Sequence, residues 1–227
     1  MISLLHPSRG RLERSYEVTQ KWMGNAGQKC ELIVSIDSND PHKERYLELS
    51  GHCLVSENRS AIDAINNAAK VSTGDILIVV SDDSDCPRNW VEKILNATSH
   101  KRDWMLKVND GIQRWLITMP IMDRAYYNRF GYVYYPEYSH MFCDTELTHV
   151  ADILNRTIKR NDIEFRHNHY SVTKAKRDEV SIKADATWNQ GKQLYLQRVK
   201  ESFGLKGVDV MNVSDNSHYR WLKQNLR

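Results

Sequence analysis

The sequence predicts an α/β fold built on a largely parallel sheet with helices on its faces. Three observations carry this expectation. Short apolar runs alternate with amphipathic segments through the first ninety residues, residues 76–80 read ILIVV, and each early apolar run leads into a markedly polar stretch.

Taken in order, residues 2–5 read as a strand, after which Leu12, Tyr16, Thr19 and Met23 recur at helical spacing up to a break at 24–27. Residues 32–36 give a second strand and 52–56 a short third. Ala61, Ile62, Ile65, Ala68 and Ala69 then form one face of a helix closed by Gly74, and 76–80 is the fourth strand. Trp90, Val91, Ile94 and Leu95 are spaced for a helix over 88–96, with Pro87 suited to its first turn. Beyond that point the pattern turns mixed. Residues 104–108 and 114–119 read as strands, Pro120 as the opening of a helix that runs through Tyr127 and stops near Gly131, 144–158 as a helix, and 163–165 as a short strand. A long amphipathic helix over 188–203 carries Leu194, Leu196, Val199 and Phe203.

The chain has 227 residues, which suits one core, so 1–203 is expected to form a single domain followed by a polar tail over 204–227. Apolar residues make up 41% and charged residues 27%, an ordinary globular composition, and a net charge of +3 spread through the chain offers no field for nucleic acid. The basic stretch 174–177 runs straight into Asp178 and Glu179 and reads as a solvated face. Cys30, Cys53, Cys86 and Cys143 form no CxxC pair and read as reduced, mostly buried thiols. No run of about 18 apolar residues and no secretory leader is visible, which predicts a cytoplasmic protein.

In parallel sheets ligands bind at the carboxyl ends of the strands. Here the first four strands lead into His6-Pro7-Ser8-Arg9, Asp37-Ser38-Asn39-Asp40, Glu57-Asn58-Arg59 and Ser81-Asp82-Asp83-Ser84-Asp85. Carboxylates crowded on one edge repel, and a divalent cation is the simplest relief. Oxygen ligands suit Mg2+ or Mn2+, which fill their remaining positions with substrate phosphates. An isolated acidic turn capping the next helix is the alternative reading of SDDSD.

The segment 57–87, ENRSAIDAINNAAKVSTGDILIVVSDDSDCP, resembles the stretch of family 2 glycosyltransferases that runs Asn-x-Gly, an Ala- and Asn-bearing helix, Ala-x-Gly-Asp, a strand and Asp-x-Asp. Ser60 stands where that family often has glycine. The resemblance extends over roughly residues 2 to 170 and implies a GT-A fold, with a Rossmann-like nucleotide-binding half over 1–100, a mixed acceptor-side half over 101–170 and a C-terminal helical part over 171–203. It implies that Asp83 and Asp85 hold the metal with Asp82 nearby, although the acidic run aligns in more than one register and the division of roles among the three stays open. It further implies that Pro7, Ser8 and Arg9 line the nucleotide pocket with Asp82 and Asp83, that Asp37 contacts the base, and that Asn58 lies beside the base or ribose. A carboxylate can accept from the imide of uracil or thymine, which favours a UDP- or dTDP-sugar, and an arginine can pair with a diphosphate.

Residues 131–150, GYVYYPEYSHMFCDTELTHV, resemble the family's acceptor-side segment, in which an acidic pair opens a helix. Cys143-Asp144 stands in its place, so the first acid is missing and Asp144 occupies the position of the catalytic base. A helix-capping role for Asp144 and a first-turn role for Glu146 are the structural alternatives. His167 and His169 alternate along an extended segment, and the resemblance implies that a histidine here completes the metal or diphosphate site. His169 is the candidate and His167 its control. Trp104, Trp115, Tyr134, Tyr135 and Tyr138 could stack on sugar faces or serve as core. The implied reaction is metal-dependent, inverting transfer of a sugar to an acceptor hydroxyl. Its rivals are a sugar-phosphate nucleotidyltransferase, for which HPSRGR supplies only Gly10, a metal-dependent phosphohydrolase, and a non-catalytic sugar-binding relative.

Overall fold

The computed structural model describes residues 1–49, 51–168, 178–208 and 210. The strands are β1 (Ile2–Pro7), β2 (Glu31–Asp37), β3 (Cys53–Ser56), β4 (Ile76–Val79), β5 (Met105–Asn109), β6 (Ile121–Asp123) and β7 (Thr157–Glu164). Six helices precede or separate them or lie just before β7: α1 (Leu12–Asn25), α2 (Lys43–Leu49), α3 (Ala61–Val71), α4 (Trp90–Thr98), α5 (Arg124–Phe130) and α6 (Cys143–Ile153). After β7 come α7 (Glu179–Ala186), α8 (Trp188–Lys200) and a 3-10 turn, Ser202–Gly204.

These strands form one seven-stranded sheet in the order β3-β2-β1-β4-β6-β5-β7. Strands β1 to β4 pair in parallel, β6 runs antiparallel to both β4 and β5, and β7 is parallel to β5. Side chains alternate between faces along a strand. Leu5 joins Leu77, Met122, Ile65, Tyr126, Leu147 and Tyr195 on one side, while Leu4 joins Ile78, Ile121, Trp22, Trp90 and Phe165 on the other. Covering both faces explains why β4 is a continuous apolar run. The second core is locked by Trp90, whose indole N–H donates to the Trp22 carbonyl at 2.8 Å. The four cysteines are free, three of them buried. Among the described residues no helix is long and apolar enough to cross a membrane.

The structure corrects several expected elements. Residues 114–119 form no strand. The Asp110 carboxylate captures the N–H groups of Ile112 and Gln113 and the Thr118 hydroxyl, so this stretch is held as a loop and the strand begins at Ile121. The following helix opens later than Pro120, because Asp123 caps it by accepting the Tyr126 N–H at 2.9 Å. Its end at Gly131, in the left-handed region at φ 73°, is as expected. The expected helix over 144–158 stops at Ile153, where Asn155 turns the chain at φ 53° into β7. The C-terminal helix likewise ends at Lys200 and not at Phe203. Pro87 lies ahead of α4, which starts at Trp90, and α3 closes at Ser72 and not at Gly74.

Candidate active site

Because β6 alone is reversed, the carboxyl ends of the other six strands lie along one edge. Pro7 ends β1 opposite Ser35, and the Ser8 N–H bonds the Ser35 carbonyl at 3.0 Å. Arg9 pairs with Asp37 and donates to Asn39 at 3.0 Å. Asp37 also accepts from the Asn58 amide at 2.8 Å, and Asn58 is held in turn by Asn67 at 3.0 Å. The expected base-side residues thus stand together as one polar knot.

A second knot surrounds Asp82, which is buried. The Ser8 hydroxyl donates to it at 3.0 Å, His6 Nε2 lies 3.1 Å away, and the Arg11 guanidinium lies 3.6 Å away. His6 is itself fixed by the Val80 carbonyl and the Ser15 hydroxyl, both at 2.9 Å. Arg11 also makes a bidentate pair with Asp178 at 2.7 Å for each bond. Burial works against the Arg11 charge, but Asp178, Asp82 and Asp83 outweigh it and raise its pKa.

Asp83 and Asp85 project from the same turn, their side chains 26% and 32% exposed. Asp83 accepts from the Ser81 hydroxyl at 2.6 Å and faces His167 Nε2 at 3.2 Å. Asp85 pairs with Lys21 at 2.7 Å and accepts its neighbour Cys86's N–H at 2.7 Å. The chain beyond β7 lies against this turn, with Asp85 N–H bonding the Arg166 carbonyl and Asn168 N–H the Asp83 carbonyl, each at 2.7 Å. Burial works to lower the pKa of His167, yet its bond to Asp83 and the charges of Asp83 and Asp110 raise it overall. His167, the expected control, therefore stands at the acidic turn, and His169, the expected ligand, lies outside the described residues.

Arg11 and Lys21 already stand against Asp82 and Asp85, and His167 faces Asp83, so the protein's own groups relieve part of the repulsion that a divalent cation was expected to relieve. Among the described residues no group of three or more His, Cys, Asp or Glu side chains could hold a metal by itself. Asp83 and Asp85 fit a metal in a narrower sense. Two partly exposed carboxylates are a normal protein share for Mg2+ or Mn2+ when a diphosphate supplies the other oxygens.

Asp144 is the second residue of α6, and its Oδ1 accepts the Thr145 N–H at 2.8 Å. Burial raises its pKa above the ordinary carboxylate range; the Thr145 N–H and hydroxyl oppose this, and the charge of Asp110 adds to it. Asp110 was not expected from the sequence. It is buried at the end of β5, its carboxylate fastens the 110–118 loop, and its carbonyl accepts the His167 N–H at 2.9 Å. The strand-end rule applied to MLKVND, as to the first four strands, would have found it. The loop's far end is tied to α6: the Ile117 N–H donates to the Thr148 hydroxyl at 2.9 Å, and that hydroxyl donates to the Asp144 carbonyl at 2.7 Å.

Glu146 is occupied structurally, in a buried pair with Arg198 at 2.8 Å and a bond from the Tyr138 hydroxyl at 2.9 Å. Arg198 also lies 3.8 Å over the Tyr135 ring. Of the aromatics considered for sugar stacking, Trp104, Tyr134 and Tyr138 are core, Tyr135 is covered by Arg198, and Trp115 is exposed. An open groove of about 680 Å³ runs along α8 from Gln190 to Lys200 beside Glu137; none of the strand-end residues lines it.

No protein-family model matches the chain. Over 117 residues, 48% of its length, it is 22% identical to the glucosyl-dolichyl phosphate glucuronosyltransferase of Haloferax volcanii, of which it spans 37%. Its structure resembles S. aureus TarS residues 1–349 in complex with UDP-GlcNAc, with TM-score 0.64 and 14% identity, over 79% of this chain and 60% of TarS 1–349. It also resembles the mannosyltransferase PcManGT of Pyrobaculum calidifontis in complex with GDP-Man and Mn2+, with TM-score 0.57 and 10% identity, over 100% of this chain and 80% of that one. The chain thus spans about a third of the curated relative and three fifths of TarS 1–349. In architecture it has the GT-A fold of glycosyltransferases.

Proposed function

We propose that this chain is a metal-dependent glycosyltransferase that moves a sugar from a nucleoside diphosphate sugar to an acceptor hydroxyl with inversion. The observation that carries the reading is the shared strand edge, which bears the Arg9–Asp37–Asn58 knot, the Asp82–Asp83–Asp85 turn and Asp110, whose charge acts on both His167 and Asp144. Asp37 and Asn58 offer an acceptor and an amide to the base and ribose, with Pro7, Ser8 and Asp82 as the pocket wall. Asp37 favours the imide of a UDP- or dTDP-sugar. Arg9 can turn from Asp37 to a diphosphate.

Asp83 and Asp85 would hold Mn2+ or Mg2+ with the donor's phosphates; His169 is the expected further ligand, and His167 stands 3.2 Å from Asp83. Such a metal, when bound, supplies charge stabilisation for the departing diphosphate. Asp144, partly buried and held by Thr145, takes the proton from the acceptor hydroxyl as that oxygen attacks the anomeric carbon. The Mn2+ of PcManGT and the nucleotide sugars of both structural relatives support this reading. We read 1–203 as one catalytic domain, and the free cysteines support a cytoplasmic setting.

Calorimetric titration with UDP tests the donor site. Binding should be at least about tenfold tighter with Mn2+ than with chelator, since the metal links two carboxylates to the diphosphate. Asp83→Asn and Asp85→Asn should each abolish most of that difference. Equal affinity with and without metal removes the metal site.

A further inference from the structure

Both exposed tryptophans among the described residues are attached to the start of the helix that carries Asp144. Trp22, Trp90 and Trp104 are core residues, whereas Trp115 is 63% exposed and Trp188 51%. Trp115 belongs to the 110–118 loop, which Asp110 pins at one end and Thr148 at the other, one helical turn beyond Asp144. Trp188 opens α8 and packs edge-on against Phe142, with ring centroids 5.0 Å apart, two residues before Asp144. The approach of α8 to this segment is close, since a Cβ at Gly191 would stand 2.2 Å from the Met141 carbonyl oxygen.

An exposed indole on a flexible loop needs no explanation; two on supports tied to the helix that carries Asp144 do. A fixed indole offers a broad apolar face at little cost in conformational freedom. A pyranose ring matches it, with an apolar C–H face to stack and a rim of hydroxyls to bond. The chain neighbours Gln113 and Arg114 of one indole, and Asn189 and Gln190 of the other, are exposed and polar, and can serve that rim. A lipid chain would instead need a contiguous apolar surface.

We infer that Trp115 and Trp188 form the acceptor platform and that the acceptor is a saccharide, its ring stacked on indole beside Asp144. This rests on the reading of Asp144 as the base. It assigns the acceptor half of the site a chemical class, where the strand-edge residues concern only the donor.

Saturation-transfer NMR with maltose, cellobiose, mannobiose and diacetylchitobiose tests it on the whole chain, with UDP·Mn2+ titrated separately. At least one disaccharide should bind saturably through its ring C–H protons. Trp115→Ala or Trp188→Ala should weaken it about 5- to 30-fold, and Trp115→Phe, which keeps an aromatic face, should restore most of the binding. The platform is overturned if no disaccharide binds to protein that binds UDP, or if binding is the same in both alanine variants. It is also overturned if the tryptophans prove to matter only for adsorption to phosphatidylglycerol vesicles. Loss of UDP binding in the wild type would sink the glycosyltransferase reading separately, while the saccharide titration would still decide whether the indoles bind sugar.

Discussion

Replacing Asp144 by asparagine should part the chemistry from the fold. An asparagine Oδ1 accepts the Thr145 N–H as the carboxylate does, so the helix start keeps its hydrogen bond. Burial raises the folded pKa of Asp144, with Asp110 adding to the effect. An acid whose folded pKa lies above its unfolded value, about 3.9 for aspartate, binds its proton more readily in the native state. Stability therefore falls as pH rises from that value through the folded pKa, and above it the ionised Asp144 is a net cost. The variant should melt at or above the wild-type temperature at pH 7 and lose that advantage near pH 4. Transfer should meanwhile fall about 100-fold or more, the usual worth of a positioned base, equivalent to about 2.7 kcal/mol of barrier. Because the base must be ionised, the acid limb of kcat/KM in the wild type should lie above the ordinary carboxylate range. Thermal melts and nucleoside diphosphate release from a UDP-sugar, both followed from pH 4 to 9 with calorimetric UDP binding alongside, measure all of this. A normal rate in the variant would refute the role of base, and a collapse of UDP affinity would move Asp144 to the donor side.

His167 should stabilise the fold through Asp83 below its unfolded pKa of about 6.5, an effect lost as pH rises through the raised folded value. His167→Ala should therefore lower the melting temperature more at pH 5.5 than at pH 8.5, by less than about 1 kcal/mol; equal losses at both values would remove the pair. Glu146→Ala strands the Arg198 charge and should cost about 3–5 kcal/mol in urea unfolding, with much of it restored when Arg198→Met and Glu146→Leu are combined. A loss under about 1 kcal/mol would mean that the pair is not closed to water. Gly191→Ala forces a Cβ onto the Met141 carbonyl and should cost about 1–3 kcal/mol, and a neutral result would show that α8 gives way freely.

Strands β1, β2 and β4 were legible in the sequence because they are largely buried and so read as apolar runs, with polar residues where each strand stops. That same contrast placed Asp37, Asn58 and the acidic turn. It failed for β7, an edge strand whose eight residues, TIKRNDIE, include only one that is buried. It failed for α7, which buries nothing and so shows no apolar stripe. Residues 114–119 misled in the opposite way. Their apolar content suits a strand, but Asp110 takes the Thr118 hydroxyl and the N–H groups of Ile112 and Gln113 just ahead of them, and Thr148 takes the Ile117 N–H. Asp144 could be singled out by its place in the chain, yet what shifts its proton affinity is burial, which no spacing reveals.

The reversed strand β6 has a consequence for the division of labour. In a simple parallel step β5 would lie directly beside β4, with α4 as the crossover between them. The short antiparallel strand instead sits between β4 and β5 and restores their common direction. Six strand ends then open the same way across a sheet that, at about 4.8 Å per strand, is about 29 Å wide from first strand to last. One such frontage has room for two ligands side by side, one over β1 to β4 and the other over β5 and the loop beyond it. The three residues of β6, Ile121–Asp123, thereby set β5 one strand further along the edge from β4, which is the width that the proposed donor and acceptor would share.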